Sequence, residues 1–542
     1  MSASKKKKLR TDGGEKLTER QLAEQKEAKK IKIYSIAFGV VLAVMVVVAA
    51  VVGVNRSIQA SGVHEKNTVA VSVGEHPLSN AELSYYYIDY INNYANTYGS
   101  YLSLFGIDSS VALNEQVYNE ETGETWADYF ISQAASSAQS AYALTDAAAA
   151  EGFSLPQEQQ EQIDIMANNL DSYATLYGYS DTNSFLKAQY GNGASKASYM
   201  DYYQRNLLAS AYQESHQESL SYTPEQIQEA DDADPVKYSS YSYAQYYIPV
   251  SSFLTGGTTD EEGNTTYTAA EREAAIAAAK IAIAPLTDSA ITTVEALDEA
   301  IAAMEINAGS ESAASTVYTD QASSSINSNL SGWITDASRQ PGDVTCIEIP
   351  GTVKDENGED LETINAFYVV LFNGKNGNET ELVNVRHILI GFEGEAQEDG
   401  TYSDEVKEAA RTSAEEVLNE WKSGDATEES FAALAEAKST DTGSNTNGGL
   451  YENVYPGQMV AAFNDWCFDA DRKSGDTGIV ETNYGYHVMY FVGSAGQTYR
   501  EYQIVNDLTN ADMESWYQGL LDNCTITTGD TSYMRKDIVL SK

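Results

Sequence analysis

Trp333-Ile334-Thr335-Asp336-Ala337-Ser338-Arg339-Gln340-Pro341-Gly342-Asp343 returns 133 residues later as Trp466-Cys467-Phe468-Asp469-Ala470-Asp471-Arg472-Lys473-Ser474-Gly475-Asp476, with six of eleven positions identical. A match of that length at one offset marks an internal repeat. It extends both ways. Residues 246–250 (Tyr-Tyr-Ile-Pro-Val) parallel 386–390 (Arg-His-Ile-Leu-Ile), and 367–372 parallel 486–491. These β-branched, aromatic and apolar runs read as strands. An Ala/Glu-rich stretch with helical character follows the first strand of each copy, at 269–283 and 403–421. The chain therefore holds two β-α-β domains of one kind, at 237–375 and 383–494, joined through 375–380. The first copy carries extra loops at 254–267 and 350–364.

The copies differ in their chemistry. In the second, His387 and His487 sit in strand-like runs 100 residues apart, and only a compact domain that lays those strands side by side lets them meet. In the first copy, Tyr247 and Tyr368 take the two histidine positions, and Ile326 and Leu330 stand where the second copy has Met459 and Phe463.

A chain of 542 residues is too long for one core. Its charge is uneven: residues 1–32 hold 11 Lys/Arg against 5 Asp/Glu, a net of +6, and the remainder holds 22 against 75, a net of −53. Such an acidic surface favours solubility and repels phosphate, which argues against nucleic-acid binding. Three cysteines without metal spacing make no disulfide framework. Residues 33–54 are 22 in a row without a charge, about 33 Å as a helix and enough to cross a bilayer core of about 30 Å. The basic tail 1–32 precedes this run, so the positive-inside rule puts the tail in the cytoplasm and the rest outside. A cleaved signal peptide is the competing reading of the same run.

Residues 55–66 read as a polar tether. From 67 to 236 the pattern is helical, opened by the Ser79/Glu82 capping box. Tyr85, Tyr86, Tyr87, Tyr90, Tyr94 and Tyr98 fall on one helix. They read either as packing between helices or as an amphipathic surface for unfolded peptide. In the final segment, 495–542, a helix is expected at 510–522 and a strand at 538–540, docking on an earlier part of the chain.

The second copy resembles the parvulin family of peptidyl-prolyl cis-trans isomerases. The motifs that carry the resemblance are His387-Ile-Leu-Ile, Phe431-Ala-Ala-Leu434-Ala435, Ser439-Thr-Asp441-Thr-Gly-Ser444, Gly448-Gly449-Leu450, Gly457-Gln458-Met459 to Phe463, Gly475-Asp476 and Thr482-Asn-Tyr484-Gly485-Tyr486-His487. Together they span about 110 residues. The resemblance implies a catalytic set of His387, Asp441, Thr482 and His487, and a proline pocket of Leu450, Met459 and Phe463. It implies neither cofactor nor metal, since rotation about an amide makes and breaks no bond. Leu450 follows the glycine pair directly, where the family usually has Asp or Asn. The order of segments is similar to the SurA/PrsA class of extracytoplasmic foldases. That class implies an α+β architecture: a membrane anchor, a helical chaperone domain and two parvulin-like domains, each an antiparallel sheet with surrounding helices, the first degenerate. It also implies partners, namely unfolded or newly exported polypeptides with X-Pro bonds. The alternative is a non-catalytic holdase or scaffold that uses the parvulin folds only to bind peptide.

Overall fold

A computed structural model describes Met45, Val46, Val48 and residues 57–540, apart from 260–262, 264, 311, 355–359 and 398–399. The basic tail and nearly all of the apolar run 33–54 lie outside the described residues. Among the described residues no helix is long and apolar enough to cross a membrane. The architecture is mixed α+β with antiparallel sheets, and it divides into two compact units, 1–220 with 512–542, and 221–511.

The first unit is built on five long helices: Asn80–Tyr98, Trp126–Glu151, Gln157–Leu176, Thr182–Tyr190 and Lys196–Ser219. Ser79 opens the first of them. Its hydroxyl accepts from the Glu82 N–H, and the Glu82 carboxylate accepts from the Ser79 N–H at 2.8 Å. Thr125 and Asp128 do the same for the second. Each such cap contributes about 1 kcal/mol. Segments from near both ends of this unit form a three-stranded sheet, in which Val69–Val73 pairs with His76–Ser79 on one side and Ile526–Thr528 on the other. The returning strand is thus 526–528, not 538–540. Ile538 is buried all the same, and its carbonyl accepts from the Leu113 N–H at 2.9 Å.

Two expectations change here. Residues 57–66 are not a free tether: Val63–Asn67 is helical, and Gly62, at φ +66°, lies so close to Asn192 that a Cβ would meet its carbonyl oxygen at 2.3 Å. Of the six tyrosines, Tyr85, Tyr86 and Tyr87 are core residues, and Tyr85 reaches Ser198 Oγ at 2.7 Å. Their rings are spent on packing. Tyr90 and Tyr94 pack against the same core while only partly buried, and Tyr98 is exposed.

The second unit contains two four-stranded antiparallel sheets with one strand order, second-first-fourth-third. The first sheet uses Thr316–Ala322, Ser240–Pro249, Asp360–Asn376 and Val344–Lys354; the second uses Leu450–Val454, Glu381–Gly391, Gly485–Thr498 and Thr477–Thr482. The repeated eleven residues make the same turn in each. Gly342 N–H donates to Phe372 O at 2.8 Å, as Gly475 N–H does to Phe491 O at 2.8 Å, and Arg339 and Arg472 stack over Trp333 and Trp466. The helix Pro224–Ala233 belongs to this unit rather than to the helical one: its Asp231 ion-pairs with Arg500, which also donates to the Tyr238 carbonyl at 3.1 Å.

Alternation sorts the second sheet's faces. Ile388, Tyr486 and Val488 pack under the helices Asp404–Ser423 and Glu428–Lys438, with Trp421 and Phe431. Val385, Met489 and Phe491 face the other way, toward the short helix Ala461–Cys467. His387 and His487 share that second face.

Candidate active site

His387 stands opposite Met489 and His487 opposite Leu389 in the ladder between the two central strands. This diagonal brings the imidazoles together. Their Nδ1 atoms are 2.9 Å apart and their rings nearly parallel at 5.1 Å. His387 Nε2 lies 2.8 Å from Asp441 Oδ2, and His487 Nε2 lies 2.9 Å from Thr482 Oγ1. Asp441 is held at the start of the loop after Glu428–Lys438, where Thr440 N–H donates to the Leu389 carbonyl at 2.9 Å.

The hydrogen positions follow from the partners. An ionised Asp441 only accepts, so His387 donates from Nε2. A neutral His387 then offers a bare Nδ1, to which His487 donates. The bare Nε2 of His487 accepts the Thr482 hydroxyl, which in turn accepts from the Tyr484 N–H at 3.1 Å. The chain runs one way, from Thr482 through His487 and His387 to Asp441. In this direction both imidazoles are neutral. Burial favours that state: it lowers the His387 pKa against the pull of Asp441, and burial together with the neighbouring His387 brings His487 down to about 4. Burial alone raises a carboxyl, yet hydrogen bonds from Ser444, the Gly443 N–H and His387 outweigh it and bring Asp441 down to about 2. A network polarised in this way is stronger than its separate pairs.

Of the seven residues expected, the structure joins six. Phe463 is buried edge-on against both imidazoles, at 5.5 and 5.3 Å, and Met459 packs in the same cluster. Leu450 does not belong to this face. It pairs with Arg386, so its side chain leaves toward the helices, and Tyr451, opposite Val385, takes the place expected for it. The Tyr451 ring is 5.2 Å from that of His387, and its hydroxyl donates to Asp441 Oδ2 at 3.1 Å. Ser444 Oγ donates to the same oxygen at 2.6 Å. Neither role was read from the sequence. For Tyr451 the signal was available, since a strand residue one place from Leu450 must face the other way.

The first sheet corrects a second expectation. Tyr368 does hold the His487 position, but it pairs with Tyr247, whereas Gln245 pairs with Val370 as His387 does with Met489. The counterpart of His387 is Gln245, and Tyr247 matches Leu389. Ile349 stands at the Thr482 position, opposite Ala366.

Residues 369–493 match the family described as the PPIC-type PPIASE domain. This part of the chain is parvulin-type and similar to foldases of the SurA/PrsA kind. It is 34% identical over 110 residues to foldase protein PrsA 1 of Listeria innocua, covering 20% of this chain and 30% of that one. It is 32% identical over 151 residues to chaperone SurA of Chromohalobacter salexigens, covering 26% and 31%. Among solved structures, PrsA from Bacillus subtilis is 25% identical, with 26% of this chain and 48% of that one covered and a TM-score of 0.18. The chain thus spans about a third of the length of the curated relatives it matches.

Proposed function

We propose that this parvulin-type protein is a membrane-anchored extracytoplasmic foldase that holds unfolded exported polypeptides and isomerises their X-Pro bonds in the second sheet. The observation that carries the reading is the one-way chain Thr482–His487–His387–Asp441 beside Met459, Phe463 and Tyr451. Rotation about an X-Pro bond faces a barrier of about 18–20 kcal/mol because amide resonance must be lost. The twisted amide has a smaller dipole than the planar one, so an apolar slot favours it over the ground state. Met459, Phe463 and Tyr451 supply that slot. The histidines act as neutral, fixed dipoles that hold Asp441 and Thr482 in place, and no nucleophile is needed.

A purely holding role for the second sheet is the competing reading, and the near-complete burial of both imidazoles and of Phe463 favours it. An isomerisation assay on a prolyl peptide with the full chain separates the two. We expect a rate above background that Asp441→Ala removes; a wild-type rate at background sinks the enzyme reading. Anchoring rests on the uncharged run 33–54 behind a basic tail. Recovery of the intact N-terminus in the membrane fraction is the expected result, and a mature protein lacking residues 1–54 would replace the anchor with a cleaved signal. The first sheet, with Gln245, Tyr368 and Ile349 at the key positions, is read as a silent copy.

A further inference from the structure

The helical unit carries an aromatic ledge whose inner rings pack on the core and whose outer rings do not. Tyr94 touches the rings of Tyr98 at 4.9 Å, Phe105 at 6.3 Å and Trp126 at 6.4 Å, while Tyr118 stacks on Tyr129 at 4.3 Å and meets Trp126 at 4.8 Å. The inner end of the row is fixed on Phe130, which is fully buried. The outer end is open: Tyr98, Phe105 and Tyr118 are exposed, Tyr101 is 57% exposed and Leu104 79%. Single exposed apolar residues are ordinary, but a contiguous row of them marks a contact surface. Because each ring rests on the next, little side-chain entropy remains to be lost on binding.

The charge around the ledge is of one sign. Residues 67–186 contain 16 Asp and Glu and not one Lys or Arg. Asp108, Glu115, Glu120 and Glu121 are exposed in the segment between Phe105 and Trp126, and Lys536, reaching in from the C-terminal segment, is spent on Asp128 at 2.9 Å. A second copy of this chain, with a net charge of −47, and an anionic lipid surface are both repelled.

We infer that this ledge is the holding site for extended, unfolded polypeptide segments in which apolar or aromatic residues alternate with Lys or Arg. Aromatic faces take the apolar side chains and, with the acidic rim, attract the cations. This rests on the proposed foldase reading and adds the class of client segment.

The test uses two unstructured peptides with the same Phe and Leu residues, one spaced by Lys and one by Glu, titrated into the full chain by fluorescence anisotropy. Binding of the Lys peptide is expected to be at least about tenfold tighter, a difference of about 1.4 kcal/mol, and to weaken with added salt. Tyr101→Ser with Leu104→Ser, both far from the core, is expected to weaken it several-fold, and Glu120→Lys with Glu121→Lys to remove the preference. Equal binding of the two peptides, or binding indifferent to both variants, overturns the inference. So does ledge-dependent binding to phosphatidylglycerol vesicles, or ledge-dependent dimerisation in sedimentation. Isomerase activity of the same variants is expected to be unchanged, so a failed preference is read separately from a failed enzyme.

Discussion

In the second sheet His387 faces Met489 and His487 faces Leu389; in the first, Gln245 faces Val370 and Tyr368 faces Tyr247. The backbones agree in strand order and in the repeated turn, and the faces under the helices are apolar in both. The difference is confined to the opposite face, where a hydrogen-bonded chain of four side chains stands against Gln245, Tyr368 and Ile349. Gln245 donates to the Tyr318 hydroxyl at 3.3 Å, and its Oε1, though buried, has no partner among the described residues. One scaffold therefore supports either face. What distinguishes the face proposed to be catalytic is not the aromatic slot alone but a carboxylate that fixes the direction of the hydrogen bonds between neutral imidazoles behind it.

The largest effect that tests this contrast comes from the apolar wall. Phe463→Ala is expected to cost about 3–5 kcal/mol and its counterpart Leu330→Ala about 2–5 kcal/mol, since both side chains are buried in full. Both variants should lose protection of their own sheet in hydrogen exchange. Only Phe463→Ala should also slow isomerisation; if Leu330→Ala slows it as much, the first sheet is not silent.

Next comes the carboxylate. Asp441→Ala leaves His387 without its acceptor, frees both imidazoles to change tautomer, and is expected to lower kcat/KM on a prolyl peptide by about a hundredfold, the scale of losing one preorganised polar group. Gln245→Ala in the first sheet should leave the rate unchanged. Equal, small effects would erase the distinction between the faces.

The pH response is smaller and separates the sheets by a titrating pair that only one of them has. His487 titrates near 4 in the fold against an ordinary value of 6.5. The unfolded chain therefore binds more protons between these limits, and the second sheet loses stability as pH falls from about 6.5 toward 4. Asp441, lowered from 3.8 to about 2, adds a further loss across that lower window. Above 6.5 both contributions are present in full. Hydrogen exchange resolved by sheet should show protection of 381–391 and 485–498 falling over this range. The acid limb of isomerisation should lie near 4 rather than 6.5; a limb at 6.5 would mean that the pair is not held neutral.

Much of this was legible from residue order. The repeat, the Ser79/Glu82 capping box and the pairing of distant histidines follow from spacing and alternation. The misplacements share one physical origin. A two-residue slip keeps every side chain on its face, so matching apolar runs cannot separate Tyr247 from Gln245 as the partner of His387; only the ladder's hydrogen bonds do. A one-residue slip reverses the face, which is why Leu450 leaves the slot and Tyr451 enters it. The segment 538–540 has the composition of a strand, yet Val69–Val73 pairs with Ile526–Thr528, and Ile538 is buried without joining a sheet.

The smallest expected effect is the sharpest test. Gln245→His, Tyr368→His and Ile349→Thr together write the chain's three uncharged members into the first sheet, where the shared register sets the two imidazoles on the same diagonal as His387 and His487. The triple variant is expected to gain no isomerase activity, measured with Asp441→Ala silencing the second sheet. The reason is the missing acceptor: position 245 meets the Tyr318 hydroxyl where His387 meets a carboxylate, and a hydroxyl both donates and accepts. It cannot impose one tautomer on the pair. The grafted imidazoles should accordingly titrate closer to 6.5 than His487 does, which NMR of the ring protons reads directly. A graft that isomerises without any carboxylate would show that two stacked histidines beside an apolar wall suffice, and Asp441 would then be a residue that stabilises the loop rather than one that sets the site.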